Sequence, residues 1–546
     1  MNQVLLTRRQ VLAGAATLVA AGALPSRRVA AQAPQKGGQI IVGISQEPQN
    51  FNPVMPTIES QRGVHMAIYD DLWRIDPKGN FVPNLALAIP TQTNGGISKD
   101  GTVFTIKLRR DARWHDGRPF SGKDVIFTWK TIMNPNVSAF STVGFDQIAD
   151  MWTADGDETL KFKLKQPYAP ILDVLADMFI VPEHVLGKSA DVNKDPFNTR
   201  RPIGTGAFKF VEWASGDHIT LEANRAYHGP GPYIDRLIFK YIPDLTVLFT
   251  QIKTGEIDIT GIQGIPVDLY PEAKTLANVK LYVDPGTAYE TIAPNHLLPT
   301  FKDKRVRQAL YLGMDKKPII EKIMLGLAPE SESYVPPQSW AYNPAIKGRH
   351  KYDPERAKRL LEEAGWKPGP DGIRVKDGTR LAFENACTAG NKQREQIQQL
   401  LQQQWRPLGV EMKINNKPAA VLFGDFYRMS KFETIIIGML MGSDPEHSFR
   451  LHSKYIPAKG GMGRNSIAYE SPEADRLLDA GVRDIDRAKR KKAYFRLQEV
   501  LADEVPYLPI YHYVNIRATR LGIEGFRPNA NMQEYTWNPN EWWIKR

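Results

Sequence analysis

The sequence predicts an α/β fold with antiparallel pieces, and three observations carry that reading. Strand-type alternation and helix-type spacing succeed one another along the chain, each run is bounded by recognisable caps or turn residues, and no segment repeats at a period of about 20 to 50 residues. The first clear helix is "SGKDVIFTWKTIM". Ser121 stands three residues before Asp124 as a capping box, and Val125, Trp129, Ile132 and Met133 share one face. In "TLKFKLKQP", Leu160, Phe162 and Leu164 alternate with lysines, which predicts a strand with one face in water. "YIDRLIFKYIPDLTVLFTQIKTGEIDIT" reads as a strand through Phe239 and Tyr241, a helix carrying Leu245, Leu248, Phe249 and Ile252, a stop at Gly255, and a second strand. Asp353-Pro354 opens a helix that Gly365 ends, Asp377-Gly378 marks a tight hairpin, and Ser471-Pro472 opens another helix. Pro-rich connections fall at 329–344 and 505–509.

The N-terminus reads differently. Thr7-Arg8-Arg9-Gln10-Val11-Leu12 leads into an apolar run from Val11 to Leu24, which is shorter than the roughly 20 residues a membrane-spanning helix needs. Small residues follow at Ala30-Ala31-Gln32-Ala33, so residues 1–33 are expected to be a removable export signal. The paired arginines and a weakly hydrophobic, Ala- and Gly-rich run resemble the twin-arginine signal, whose pathway carries folded proteins; an ordinary secretory signal with two arginines is the alternative. Cys387 is the single cysteine and lies far from this segment, so no internal disulfide is expected and no lipoprotein cysteine stands at the mature N-terminus. A soluble periplasmic protein is the expectation.

The 546 residues carry a formal net charge of +11; removing Arg8, Arg9, Arg27 and Arg28 with the signal leaves +7. Lys and Arg are interleaved with acids, as in "DPERAKRLLEEAGW", which argues for a solvated surface and against nucleic acid as a partner. Residues 34–546 are long enough for about two to four domains.

Motifs for chemistry are missing. Gly187-Lys188-Ser189 lacks the earlier glycine of a phosphate loop, since position 182 is Pro, and Gly204-Thr205-Gly206 lacks the third glycine of a dinucleotide site. No Gly-x-Ser-x-Gly turn occurs, the ten histidines show no His-Glu-x-x-His pattern, and Cys387 has no cysteine neighbour to share a zinc. No catalytic residue, metal or cofactor is expected. Trp114-His115-Asp116-Gly117 reads as a turn.

Seven longer segments carry a resemblance: "GGQIIVGISQEPQNFNP", "WHDGRPFSGKDVIFTWK", "PIGTGAFKFVEW", "LFTQIKTGEIDI", "FKDKRVRQALYLGMDKKPIIEKIMLG", "YDPERAKRLLEEAGW" and "DEVPYLPIYH". Their order and spacing resemble the extracytoplasmic solute-binding proteins of the dipeptide, oligopeptide and nickel type, which serve ABC importers. The resemblance implies a two-lobed, type II-like periplasmic-binding-protein fold with an extra inserted domain. It places lobe I at 34–52, 200–287 and 508–546, the insert at 53–199 and lobe II at 288–507. It implies a monomer that closes over a small molecule or peptide and delivers it to permease subunits in the inner membrane. Gly204 and Gly206 then serve backbone geometry, Arg305 and Arg307 face solvent or tie their helix to the lobe, and Val306, Ala309 and Leu310 are core.

In the dipeptide binders of this family an Asp three positions before an Asp-Pro pair holds the ligand ammonium, and an Arg before a Trp-ended helix holds its carboxylate. Counting from Asp444-Pro445 and from Trp405 puts Met441 and Thr388 at those positions. The ligand expected is therefore one with less charge at those points: a longer or modified peptide, an opine-like conjugate or another amphipathic solute. The candidate ligand-binding residues are Phe51, Asn52, Trp340, Thr388, Met439, Met441, Ser443 and Asp444. For the two methionines strand core is the alternative, and for Asp444 a turn before Pro445. A secreted hydrolase, or a periplasmic chaperone or sensor of the same fold, remain alternatives for the whole chain.

Overall fold

The computed structural model describes residues 33–56, 58–261, 264–461, 463–531 and 535–546. The export-signal segment, through Gln32, lies outside them. Ten strands form the central sheet: β1 (Gln39–Ile44), β2 (Phe208–Ala214), β3 (His218–Ala223), β4 (Arg236–Tyr241), β5 (Ile259–Thr260), β6 (Val279–Pro294), β7 (Ala382–Ala386), β8 (Glu411–Ile414), β9 (Thr434–Met439) and β10 (Leu508–Arg520). Their spatial order is β8-β7-β9-β6-β10-β5-β1-β4-β3-β2. The predicted strand–helix–strand unit is β4, the helix Leu245–Thr254 and β5, and its two strands flank β1 in parallel. Asp244 caps the helix by accepting from the amides of Thr246 and Val247, and Gly255 ends it in the left-handed conformation.

β6 and β10 hold the two halves of the sheet together. Their antiparallel register runs from Val279 opposite Arg520 to Pro285 opposite Val514, breaks, and resumes at Tyr289 opposite His512. The chain enters the second half within β6 and returns within β10. Gly286, Thr287 and Ala288 occupy the break.

Among the described residues no strand of the large sheet lies between β1 and β2. The intervening chain instead builds an antiparallel sheet of Val103–Lys107, Thr159–Leu164 and Ile148–Ala154, with Thr159–Leu164 central. The lysine-alternating strand turns Leu160, Phe162 and Leu164 inward as predicted. Across it lies the helix Gly122–Met133, whose capping box between Ser121 and Asp124 forms on both sides. This region shares one continuous core with the β1 half, and Phe104 stacks on Phe162 inside it.

The Trp114–Gly117 segment is a turn: the Gly117 amide donates to Trp114 O at 2.8 Å. It is pinned to Gly204-Thr205-Gly206, because the Gly204 amide donates to His115 Nδ1 and His115 Nε2 reaches Gly206 O at 3.0 Å. Burial holds the His115 ring down at about 4, so it stays neutral and makes both bonds. At Gly204 a Cβ would stand 1.8 Å from Ile68 O, which is why this position has no side chain.

In the second half, Val306, Ala309 and Leu310 are core as expected. Arg305 pairs with Asp303 at the start of the helix Lys304–Leu312. Arg307 is buried and donates to the carbonyls of Glu504 and Val505, capping the end of the helix Arg487–Glu504. The Asp353-Pro354, Asp377-Gly378 and Ser471-Pro472 signals fall at the start of helix Pro354–Glu363, in the hairpin turn between Arg374–Lys376 and Thr379–Arg380, and at the start of helix Pro472–Arg483. Among the described residues no helix is long and apolar enough to cross a membrane.

Candidate functional site

Two cavities open between the halves. The first, about 540 Å³, lies between the helix Ile171–Ala176 and the segment that follows β9, Leu440 to Asp444. The second, about 850 Å³, has the β6 break and the facing part of β10 as its floor, with Ile265–Asp268 on one side and Lys322–Leu325 on the other. Leu440 belongs to the wall of both. Each volume falls within the range of small-molecule sites, about 300–1,000 Å³. A third void of about 30 Å³ sits among Tyr289, Tyr311 and Tyr507 inside the second half, with room for a water but not for a ligand.

In the first cavity the charges meet across the cleft. Asp173, from the helix Ile171–Ala176, accepts from the Ser443 hydroxyl. Burial and the neighbouring Asp444 carboxylate push the Asp173 carboxyl up to about 7. Asp444 itself is paired: both its oxygens lie 2.6 Å from one Arg490 nitrogen, and Arg490 Nε donates to Gly481 O. Trp340 lies under two guanidinium groups, Arg487 at 4.8 Å and Arg490 at 5.4 Å from its ring centre. Arg62 pairs with Asp177 on the same wall. Glu446 accepts from the Ser448 amide, and burial raises its carboxyl.

A second ion pair stands at the floor of the larger cavity. Glu290 on β6 receives Arg394 Nε at 3.1 Å and a terminal Arg394 nitrogen at 3.2 Å, while the Tyr513 hydroxyl donates to it at 2.7 Å. Burial raises the Glu290 carboxyl, against the opposing pull of Arg394. Gly438 makes room for this group on the neighbouring strand, since a Cβ there would meet the Tyr513 hydroxyl at 2.3 Å.

The sequence-derived candidates divide. Ser443, Asp444 and Met441 line the first cavity. Asp444 also accepts from the Glu446 amide, the turn geometry expected before Pro, and its charge is matched by Arg490. Trp340 packs edge-on against Tyr494 behind this pair. Met439 is fully buried with its sulfur against Arg450, and Met441 is almost as buried in the same core. Thr388 stands by the second ion pair, where its hydroxyl accepts from Arg394 at 3.4 Å. Phe51 and Asn52 are fully buried away from both cavities: Phe51 packs on Phe210 and Trp213, and Asn52 donates to Asn198 at 2.9 Å. The sequence reading passed over Leu440, Asp173, Arg490 and the Glu290–Arg394 pair. For Leu440 a signal existed, because strand alternation through "GMLMG" sends Leu440 outward if Met439 and Met441 point in. Among the described residues no cluster of His, Cys, Asp and Glu is placed to hold a metal ion.

Residues 80–458 match the family profile of bacterial extracellular solute-binding proteins, family 5. The oligopeptide-binding protein AppA of Bacillus subtilis is 31% identical over 533 residues, covering 95% of this chain and 94% of its own length. Its solved structure, in complex with a nonapeptide, superposes with a TM-score of 0.77 at 29% identity and covers 94% of this chain and 100% of that one. NikZ from Campylobacter jejuni, solved in complex with Ni(L-His), gives a TM-score of 0.77 at 29% identity over 92% of this chain and 99% of its own.

Proposed function

This chain belongs to the bacterial extracellular solute-binding proteins of family 5, and from that membership we propose that it is a periplasmic receptor that closes on an oligopeptide-like solute and presents it to the permease of an ABC importer. The observation that carries the ligand class is the cleft: two cavities of about 540 and 850 Å³ lie side by side along it, and together they hold more than a single compact metabolite. The relative solved with a nonapeptide supports the same class.

The two lobes correspond to the two halves of the sheet, and the residues between β1 and β2 form the insert. Closure bends β6 and β10 at the break around Gly286, and it follows ligand binding because the ligand touches both walls only in the closed form. The chain binds and releases its ligand unchanged, and it acts as a monomer. Export by the twin-arginine route completes the reading, because the receptor must work outside the membrane that its permease spans.

Mass spectrometry of the small molecules released from the purified mature chain tests this directly. Short peptides should be recovered, and adding them back should shrink the radius of gyration in X-ray scattering. Recovery of a non-peptide solute would overturn the ligand class, and steady release of cleaved product would overturn the receptor role.

A further inference from the structure

β9 ends at Met439, and the alternation of buried and exposed side chains continues past it. Met439 and Met441 are 0% and 2% exposed, whereas Leu440 between them is 59% exposed. A large apolar side chain left in water at the meeting point of two cavities is out of keeping with its buried neighbours. Each cavity offers it an apolar counterpart: Val143, 66% exposed, in the first, and Leu325, 40% exposed, in the second. The two flanking methionines are locked in the core, Met439 against Arg450, so the backbone that carries Leu440 is held from behind.

We propose that Leu440 is the residue that sets ligand length: it partitions the cleft into two compartments, and a ligand gains the second compartment only by running across this side chain and covering it. The inference rests on the peptide reading above. A short peptide fits in one compartment and leaves Leu440 wet. A longer one buries it, and apolar area removed from water favours the complex in proportion to the area covered. Ligand length, rather than a charge at either end, then separates strong from weak ligands.

The test is calorimetric titration of the mature chain with a ladder of alanine-rich peptides with free termini, from tripeptide to nonapeptide, each carrying one phenylalanine. The wild type should show a step in affinity at one length. Leu440→Ala should weaken the peptides beyond the step by about tenfold, equivalent to about 1.4 kcal/mol, and leave the shorter ones unchanged. Leu440→Trp, which narrows the passage, should abolish the step and again spare the short peptides. Because Leu440 is exposed, both variants should melt with the wild type. Variants that shift every length equally, or that leave the step at its wild-type size, would overturn the partition while the peptide reading stands. A wild type that binds no peptide of any length would overturn the peptide reading and the partition with it.

Discussion

Replacing Arg394 by Met should destabilise the protein by about 3–5 kcal/mol near neutral pH, the usual result of removing one partner from a buried ion pair. The geometry gives the same size. Arg394 makes two charge-assisted bonds to Glu290, at 3.1 and 3.2 Å, each worth about 1.5–3 kcal/mol, and its contacts to Tyr513 and Thr388, at 3.3 and 3.4 Å, are too long to add much. Methionine nearly matches the arginine stem in length, so most of the loss comes from the carboxylate left behind. That carboxylate predicts a pH signature. Its folded-state affinity for a proton is already raised by burial and rises further without Arg394, so the folded variant binds a proton that the unfolded chain gives up. The resulting stabilisation is present at low pH and lost as pH rises through the raised value. Urea unfolding followed by tryptophan fluorescence should therefore show the deficit relative to the wild type narrowing as pH falls through the raised value. Buried Trp405, at the end of the helix that carries Arg394, makes a local reporter. Adding Glu290→Gln should restore the variant to within about 2 kcal/mol of the wild type. A single variant that loses less than about 1 kcal/mol, or a double variant no more stable than the single, would refute the reasoning.

Three further outcomes are expected. Burial of Asp173 beside the Asp444 carboxylate across the cleft should make ligand-free closure depend on pH: a carboxyl raised to about 7 where the walls meet takes up a proton on closing, so X-ray scattering should give a smaller radius of gyration near pH 6 than near pH 8, and Asp173→Asn should remove the difference. Ser121→Ala removes one side of the capping box and should lower stability by about 1 kcal/mol in thermal unfolding, with Ser121→Asp close to the wild type. Replacing Arg8 and Arg9 together by Lys should strand precursor in the cytoplasm on cell fractionation; unchanged export would remove the twin-arginine reading.

What the sequence showed best were features whose cause is local. The Ser121 capping box, the Asp377-Gly378 turn and the Gly255 stop each need only neighbours in the chain, and each forms where predicted. The family resemblance added the long-range plan. The site was harder, because its partners are distant in sequence. Nothing near Asp444 announces that Arg490 neutralises it, since Arg490 stands in a lysine-rich helix whose pattern suggests a solvated face. Phe51 follows the first strand, where a ligand loop is expected, yet Phe210 and Trp213 enclose it from more than 150 residues away. Met439 and Met441 have side chains that suit an adaptable pocket, yet strand alternation turns both into the core and Leu440 outward between them.

The pairing of β6 with β10 also has a consequence for biogenesis. β10 begins at Leu508, after every other strand of the large sheet, and it closes the gap between β6 and β5 in the middle of the sheet. On the ribosome, the helices and hairpins of either half can form as they emerge, but the strand that unites them is synthesised after all the other strands of the sheet. Contacts of such long range form late and leave strand edges open meanwhile. A translocase that accepts only finished cargo would therefore have to wait for this strand, and a truncation that removes it should strand both halves as separate, aggregation-prone pieces.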